Sequence, residues 1–344
     1  MVTRGSLCGN IPVLLLHNID RSWPPEDIDE ALQDVAELES SLSDLGHPVT
    51  TVVVSDKELA ESLRHTDPSQ FIVLNWCEEL PGIPNSDGLV VQWLERLGYT
   101  YTGSPCEVLD LCWEKEKVKR LLSERGLSTP RWCVLDTPDP DSWSCYPAIV
   151  KPAREHCSFG ITSEAVVMDP GELSDRVAYI LKTFRQPALV EDFIEGREFH
   201  ISLWGNDEVQ MLPPAEMDFA LFEDLRDRLC TYDSKFKPGS PHYEQTRLRL
   251  PAALNDSEYD QLQRLAVEAY RVSGCRDYAR LDIRKRNDVF YILDINPNPD
   301  ISSKASMACA AEYAGYSYGA MGSYLVNLAS LRHPLLSKQF TTSS

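Results

Sequence analysis

The sequence predicts an α/β fold, on three observations. Short apolar runs alternate with helical stripes through the first hundred residues, the pattern of a parallel α/β layer. A charged helix then opens a second unit in which strands and helices are mixed. Near the C-terminus two strands of alternating character face each other across a short turn, an antiparallel pair.

In order, residues 11–17 form an apolar strand, and residues 27–45 a helix with Leu32, Val35, Leu38, Leu42 and Leu45 at helical spacing, stopped by Gly46. Strands at 49–54 and 71–75 and an amphipathic helix at 88–97 follow, and turn residues at 99–105 close the unit. The second unit opens with a charged helix over 107–125, ended by Gly126. Next come a strand at 132–135, a Pro- and Asp-rich loop at 137–141, strands at 148–151 and 161–167, and a helix at 171–184. After Gln186-Pro187, strands at 188–191 and 198–204 flank a turn at Gly196. Residues 257–274 read as a long helix, 278–284 and 289–296 as the antiparallel pair, and 308–329 as a closing helix of small and aromatic residues.

Composition narrows the function. Of 344 residues, 33 are Lys or Arg and 53 are Asp or Glu, a formal charge of −20. The acid is concentrated at the front, with 5 basic and 19 acidic residues from Met1 to Asp110. Such a surface repels phosphate backbones, so neither nucleic acid nor an anionic membrane is an expected partner. No apolar run approaches the roughly 20 residues of a membrane span, and the N-terminus lacks a signal-peptide layout. Ten scattered cysteines without a C-x-x-C pair predict reduced thiols in a cytoplasmic protein. H-E-x-x-H, Walker A and G-x-G-x-x-G motifs are absent.

The chemistry concentrates in three places. Arg280-Leu281-Asp282-Ile283-Arg284 and Asp294-Ile295-Asn296-Pro297-Asn298-Pro299-Asp300 lie on the paired strands, where alternate residues share a face. If those faces coincide, Asp282, Asp294 and Asn296 converge, and two carboxylates with an amide oxygen suit Mg²⁺. The bland alternative is an exposed ladder of charges. Second, Lys151 ends an apolar strand beside the small-residue turn of residues 152–160, where an ammonium and backbone N–H groups can meet phosphate oxygens. Lys115, Lys117 and Lys119 lie on the charged helix, Lys117 as a solvated surface residue, and Lys235 lies in an aperiodic loop. Third, residues 189–198 connect two strands and can offer backbone groups to an adenine edge and carboxylates to a ribose.

In this order, these elements resemble the ATP-grasp superfamily and, within it, the D-alanine–D-alanine ligase family, from about Tyr101 to Ala329. The resemblance implies an N-terminal Rossmann-like (pre-ATP-grasp) domain over 1–102, then a two-subdomain ATP-grasp fold over 103–187 and 188–334, with a tail at 335–344. By position, Lys115 and Lys151 are similar to the family's ATP lysines, Glu191, Phe193 and Ile194 to its adenine hinge, and Glu198 to its ribose-binding acid. Glu155 and Ser158 fall on its phosphate-loop and substrate positions, and Lys235 on a γ-phosphate contact. Asp282, Asp294 and Asn296 fall on its metal ligands, Arg280 on its transition-state arginine, and Gly103 on the glycine opening the central subdomain. The implied cofactors are ATP and Mg²⁺, as two ions, with Mn²⁺ as an alternative. The implied partners are a small carboxylate and an amine, and a homodimer follows from the resemblance alone.

The implied reaction activates a carboxylate as an acyl phosphate, which an amine then attacks. The substrate end departs from the family pattern. The first strand runs into Asn18-Ile19-Asp20-Arg21, and the third into Asn75-Trp76-Cys77-Glu78-Glu79. His156-Cys157 replaces the Gly-Ser of the phosphate loop, Phe236 takes a position often held by Tyr, and Asp300 replaces a Gly. Alternatives therefore stand beside the amino-acid ligase: a ligase with a hydroxy-acid acceptor, a specialised biosynthetic ligase, and an ATP-binding protein without turnover.

Overall fold

The structure, a computed structural model, describes residues 9–156 and 158–337. Strands β1 (Val13–Asn18), β2 (Val49–Val54), β3 (Ile72–Trp76) and β4 (Thr100–Tyr101) form a parallel sheet in the order β2-β1-β3-β4. Helices α1 (Pro25–Asp44), α2 (Leu59–Ser62) and α3 (Asp87–Arg96) connect them. A strand covered on both faces reads as a continuous apolar run. Accordingly Leu14, Leu15 and Leu16 of β1 are fully buried, a stabilisation of roughly 1.5–3 kcal/mol each. On α1, Val35, Leu38 and Leu42 are buried, but Leu32 is 44% exposed, as is Leu45, just past the helix end, at 43%. The apolar stripe is longer than its contact, because a 20-residue helix outreaches the six-residue strands it covers.

The expected helix over 107–125 is two helices, α4 (Cys106–Trp113) and α5 (Lys115–Glu124). Glu114 breaks it with φ −98° and ψ 80°, and the Lys115 N–H turns to the Ala153 carbonyl at 3.3 Å. Strands β5 (Trp132–Leu135), β6 (Ala148–Pro152), β7 (Val166–Val167) and β8 (Ala188–Asp192) make an antiparallel sheet, order β5-β8-β6-β7, covered by α6 (Pro170–Phe184). The strand expected over 161–167 shrinks to β7. A 3-10 turn, Ser163–Ala165, replaces its first half, with the Ala165 N–H on the Thr162 carbonyl at 2.8 Å and the Ser163 hydroxyl on Asp227. Side-chain bonding by Ser in this way competes with a strand ladder.

The third sheet comprises β9 (Arg197–Trp204), β10 (Gln210–Met211), β11 (Ala215–Asp218), β12 (Arg247–Arg249), β13 (Tyr278–Arg286) and β14 (Val289–Pro297). Its order is β12-β11-β9-β13-β14, with β10 on β9 and every pair antiparallel. Two short helices, α7 (Asp233–Phe236) and α8 (Pro241–Gln245), precede β12. Helix α9 (Asp256–Val272) starts with a reciprocal Asn255–Glu258 capping box and buries Leu262, Ala266, Ala269 and Tyr270 among Phe199, Leu281 and Ile283 of the sheet.

The closing segment is also two helices, α10 (Ser306–Tyr313) and α11 (Tyr318–Ser330), separated by Gly315 at φ 87°. Helix α11 returns to α1 and the first sheet. At Gly319 a β-carbon would lie 2.3 Å from the Ser41 carbonyl oxygen, so only glycine permits this approach. The same core takes in Trp204 of β9, stacked on Tyr324 at 4.3 Å, and so joins the first sheet to the third. A buried carboxylate, Asp277, binds Arg332 and receives the Gly103 N–H at 2.9 Å. Gly103 has φ 99°, and a β-carbon there would meet the Asn298 amide oxygen at 2.2 Å.

Candidate active site

A cleft of about 1110 Å³ opens between the three sheets, lined by Lys115, Lys151, Glu155, Ser158, Glu191, Phe193, Ile194, Glu198, Lys235, Arg280, Asp282, Asp294 and Asn296, but not by Gly103. Its floor is the face of β9 and β13. In the β9–β13 register, Asp282 lies opposite His200 and Arg284 opposite Glu198. Arg280, Asp282 and Arg284 thus share one face, as their alternate spacing predicts. On the other side Asp282 lies directly opposite Asp294, and Arg280 opposite Asn296. The convergence of Asp282, Asp294 and Asn296 is therefore real. The Asn296 amide donates to Asp282 at 3.1 Å. Arg280 grips both Asp282 oxygens at 2.7 and 3.1 Å. Burial pushes the Asp282 carboxyl up, but Arg280 and His200 outweigh it and bring it down to about 2.

Asp294 faces the lysines. Its oxygens receive Lys115 at 3.0 Å and Lys151 at 3.2 Å, and these ammonium groups hold it well below the usual carboxylate range despite its burial. Lys151 also pairs with Glu191 at 2.8 Å, and Glu191 pairs with Lys119 at 2.5 Å. Lys115, Lys151 and Glu191 are all buried. The result is an alternating chain of charges, Lys115–Asp294–Lys151–Glu191–Lys119. Burial alone would raise Glu191, but its two lysines hold it below the ordinary range.

Lys119 was not singled out by the sequence beyond its place on a charged helix. It is 1% exposed and donates to the carbonyls of Ile292 and Leu293 at 3.2 and 2.7 Å, and to Thr129 at 2.9 Å. The register of β13 on β14 slips beside Asp282, leaving an extra residue between Asp294 and Ile292 on β14. A bulge disrupts ladder bonding locally, and Lys119 takes up the carbonyls there. The signal was its four-residue spacing from Lys115, which puts both on one helix face. Lys117, between them, is exposed and pairs with Glu114 at 2.5 Å, the surface residue expected.

At the hinge, the Glu191 carboxylate is committed to its lysines. Phe193 and Ile194 line the cleft with buried apolar side chains, and the Ile194 carbonyl accepts from Arg284 at 3.1 Å. Glu198 is buried and takes Arg284 on one oxygen at 2.6 Å. In the small-residue turn, Glu155 accepts from Gln186 at 2.8 Å, and Ser158 adopts a left-handed φ of 61°. Lys235, in a stretch without periodicity, lies not in a loop but on the short helix α7, and lines the cleft. Cys157 and the side chain of Phe236 lie outside the described residues.

Of the departures, His156 packs edge-on against Trp113 at 4.1 Å. Burial, then Lys115, pushes its imidazole down to about 3, so it is neutral. Trp113 in turn donates to Asp87 at the start of α3, at 2.7 Å. At the far end, the Glu78 N–H meets the Asn18 side chain at 2.9 Å, and Asp300 accepts from Ser302 at 2.8 Å. Glu78 is exposed to solvent at the cleft, within reach of three other carboxylates. Desolvation, then the carboxylates of Asp300, Glu79 and Asp87, push it up to about 7.

The donor set fits a hard divalent cation. Asp282 and Asp294 are both held ionised, lie directly opposite each other on adjacent strands and line the cleft with Asn296, which offers only oxygen and amide groups. No helix among the described residues is long and apolar enough to cross a membrane.

This fold and this cleft define an ATP-grasp enzyme, an ATP-dependent, ADP-forming ligase that uses a divalent metal. The fold is shared with the D-alanine–D-alanine ligase of Bacillus anthracis, solved with ATP, at TM-score 0.71 and 18% identity over 96% of this chain and 99% of that one. The ligase of Coxiella burnetii matches as well, at 0.71 and 18% over 97% and 98%. The family described as "D-ala D-ala ligase C-terminus" matches residues 126–327, and the chain belongs to the D-alanine–D-alanine ligase family. Among relatives, an uncharacterised protein, y4sG, of Sinorhizobium fredii is 31% identical over 86% of each chain. The D-alanine–D-alanine ligase of Marinomonas sp. is 32% identical over 70% of this chain and 73% of its own, and that of Desulforudis audaxviator 30% over 85% and 91%.

Proposed function

We propose that this chain joins a small carboxylate to an amine, with an amino acid on each side, and that the charge chain Lys115–Asp294–Lys151–Glu191–Lys119 beside Asp282 and Asn296 is its nucleotide end. That chain is the observation that carries the reading. Lys115 and Lys151 meet phosphate oxygens with full charge, and Glu191 with Lys119 fixes Lys151 in place. Phe193 and Ile194 pack on the adenine, Glu198 takes the ribose, and Glu155 and Ser158 belong to the phosphate loop. Asp282, Asp294 and Asn296 hold Mg²⁺, as two ions or with Mn²⁺ in their place, which neutralises phosphate charge when bound.

A carboxylate does not condense with an amine unaided, because its oxygen is a poor leaving group. The substrate carboxylate oxygen attacks the γ-phosphorus and ADP leaves, giving an acyl phosphate. The amine nitrogen attacks the acyl carbon, the ammonium proton goes to solvent, and phosphate departs. Lys235 contacts the γ-phosphate, and Arg280 stabilises charge developing on the reacting oxygens. Enclosure of the cleft keeps water from the acyl phosphate. ATP supply and free thiols support a cytoplasmic setting. We divide the chain at 1–102, 103–187 and 188–334, with 335–344 as a tail.

The relatives named as D-alanine–D-alanine ligases favour a dipeptide product over the ester-forming and the non-catalytic alternatives. ATP-dependent phosphate release, measured against D- and L-amino acids and hydroxy acids with product masses, tests this. A dipeptide with stoichiometric ADP is expected, with D-alanine the first pair to try. Tight Mg-ATP binding without release for any pair would overturn it.

A further inference from the structure

The adenosine side of the cleft carries a set of donors unlike the oxygens around Asp282. Glu198 and His200 on β9 and Cys230, just ahead of α7, each bring one ligand atom within 4.8 Å of the other two. Glu198 and His200 are buried and Cys230 is half-buried, and all three line the cleft. Two residues apart on one strand, Glu198 and His200 necessarily present the same face. Nδ1 of His200 meets the Ser306 hydroxyl at 2.9 Å, which orients the ring and turns Nε2 into the cleft, 3.9 Å from Oδ1 of Asp282. Glu198 gives one oxygen, Oε2, to Arg284 at 2.6 Å and accepts the Cys230 thiol proton, which a bound ion would replace.

A carboxylate oxygen, an imidazole nitrogen and a thiolate sulfur form the donor set of a borderline-soft ion. Mg²⁺ demands oxygen, whereas Zn²⁺ accepts all three, and three protein ligands leave its fourth position open to the cleft. We infer that Glu198, His200 and Cys230 form a Zn²⁺ site, and that zinc bound there blocks the nucleotide. The blocking half rests on the proposed ribose role of Glu198; the binding half does not. On binding, the Cys230 thiol proton passes to solvent, so one proton is released per ion and zinc affinity rises with pH.

The test is a zinc titration of the metal-free full chain against a chromogenic chelator. One ion per chain is expected, bound at least tenfold more weakly by Cys230→Ser and by His200→Gln. Equal affinity in wild type and both variants would overturn the site. In a second arm, ATP turnover with excess Mg²⁺ is followed at buffered free zinc. C230S should turn over like wild type without zinc and need at least tenfold more zinc for inhibition. Zinc that inhibits both proteins equally acts on another group, such as Asp282 or Asp294, and would contradict the blocking half. Absence of any turnover would strike the ligase reading and leave the titration fully interpretable.

Discussion

The two ends of the cleft are built on opposite electrostatic plans. At the proposed nucleotide end the buried charges are paired: Lys115 and Lys151 on Asp294, Lys119 on Glu191, Arg280 on Asp282, Arg284 on Glu198. At the proposed substrate end desolvation, then the carboxylates of Asp300, Glu79 and Asp87, raise the proton affinity of Glu78. The first end is organised before ligand arrives, so little reorganisation is spent on phosphate. The second stores repulsion that a cation relieves. Glu78, Glu79 and Asp87 come from the acidic first unit, so the charge excess seen along the sequence reappears as a feature of the cleft mouth.

Breaking the paired end has the largest expected effect. Asp294→Ala removes a proposed metal ligand and leaves Lys115 and Lys151 facing each other's charge; turnover should fall by at least about 10²–10³-fold, the scale of losing one preorganised electrostatic contact. Steady-state phosphate release reads this, and wild-type rates would sink the metal assignment. Lys119→Met leaves Glu191 to Lys151 alone and takes the Lys119 bond from the Leu293 carbonyl, while Ile292 keeps Thr129. Removing one partner of a buried pair costs about 3–5 kcal/mol, and denaturant melts should show a loss of that size. The same substitution should also lower ATP affinity through Lys151, and a variant as stable as wild type would deny Lys119 its place.

The acidic end should respond in the other direction. The Glu78 carboxyl is raised to about 7 from an ordinary 4.5, so the folded state binds more protons than the unfolded one between those values. Its contribution therefore disfavours folding as pH rises from 4.5 through 7. Glu78→Gln should melt higher than wild type at pH 8, with the gap closing below pH 4. If Glu78 binds the amine substrate's charge, kcat/KM for that substrate should climb with pH through about 7, and E78Q should flatten the climb. A pH profile identical in the two proteins would remove Glu78 from substrate binding. Lys117→Ala, by contrast, should change stability by no more than about 0.5 kcal/mol.

The same contrast explains what could be read from the sequence. The β13–β14 strand pair and its converging Asp282, Asp294 and Asn296 were legible, because period-two alternation fixes faces whatever the tertiary context. The N-terminal parallel sheet was legible from its apolar runs. Three breaks were not. Glu114 and Gly315 interrupt helical patterns that stay apolar on both sides, and the turn at Ser163 is decided by a bond to distant Asp227. Lys119 was hidden because a buried lysine and a surface lysine look alike on a charged helix; the Glu191 carboxylate and the bulge at Leu293, which explain its burial, come from distant strands. His200 and Cys230 carry no motif and meet only through the fold.

The central claim is that the paired end activates a carboxylate whatever the mouth selects. Positional isotope exchange in ATP tests it most directly: ¹⁸O in the β,γ-bridge is followed with Mg²⁺ and a single amino acid in each of a D- and L-series. Reversible acyl-phosphate formation predicts scrambling of the label with at least one of them, lost in D294A. Retention of the label with every amino acid, in protein that binds Mg-ATP, would contradict the account.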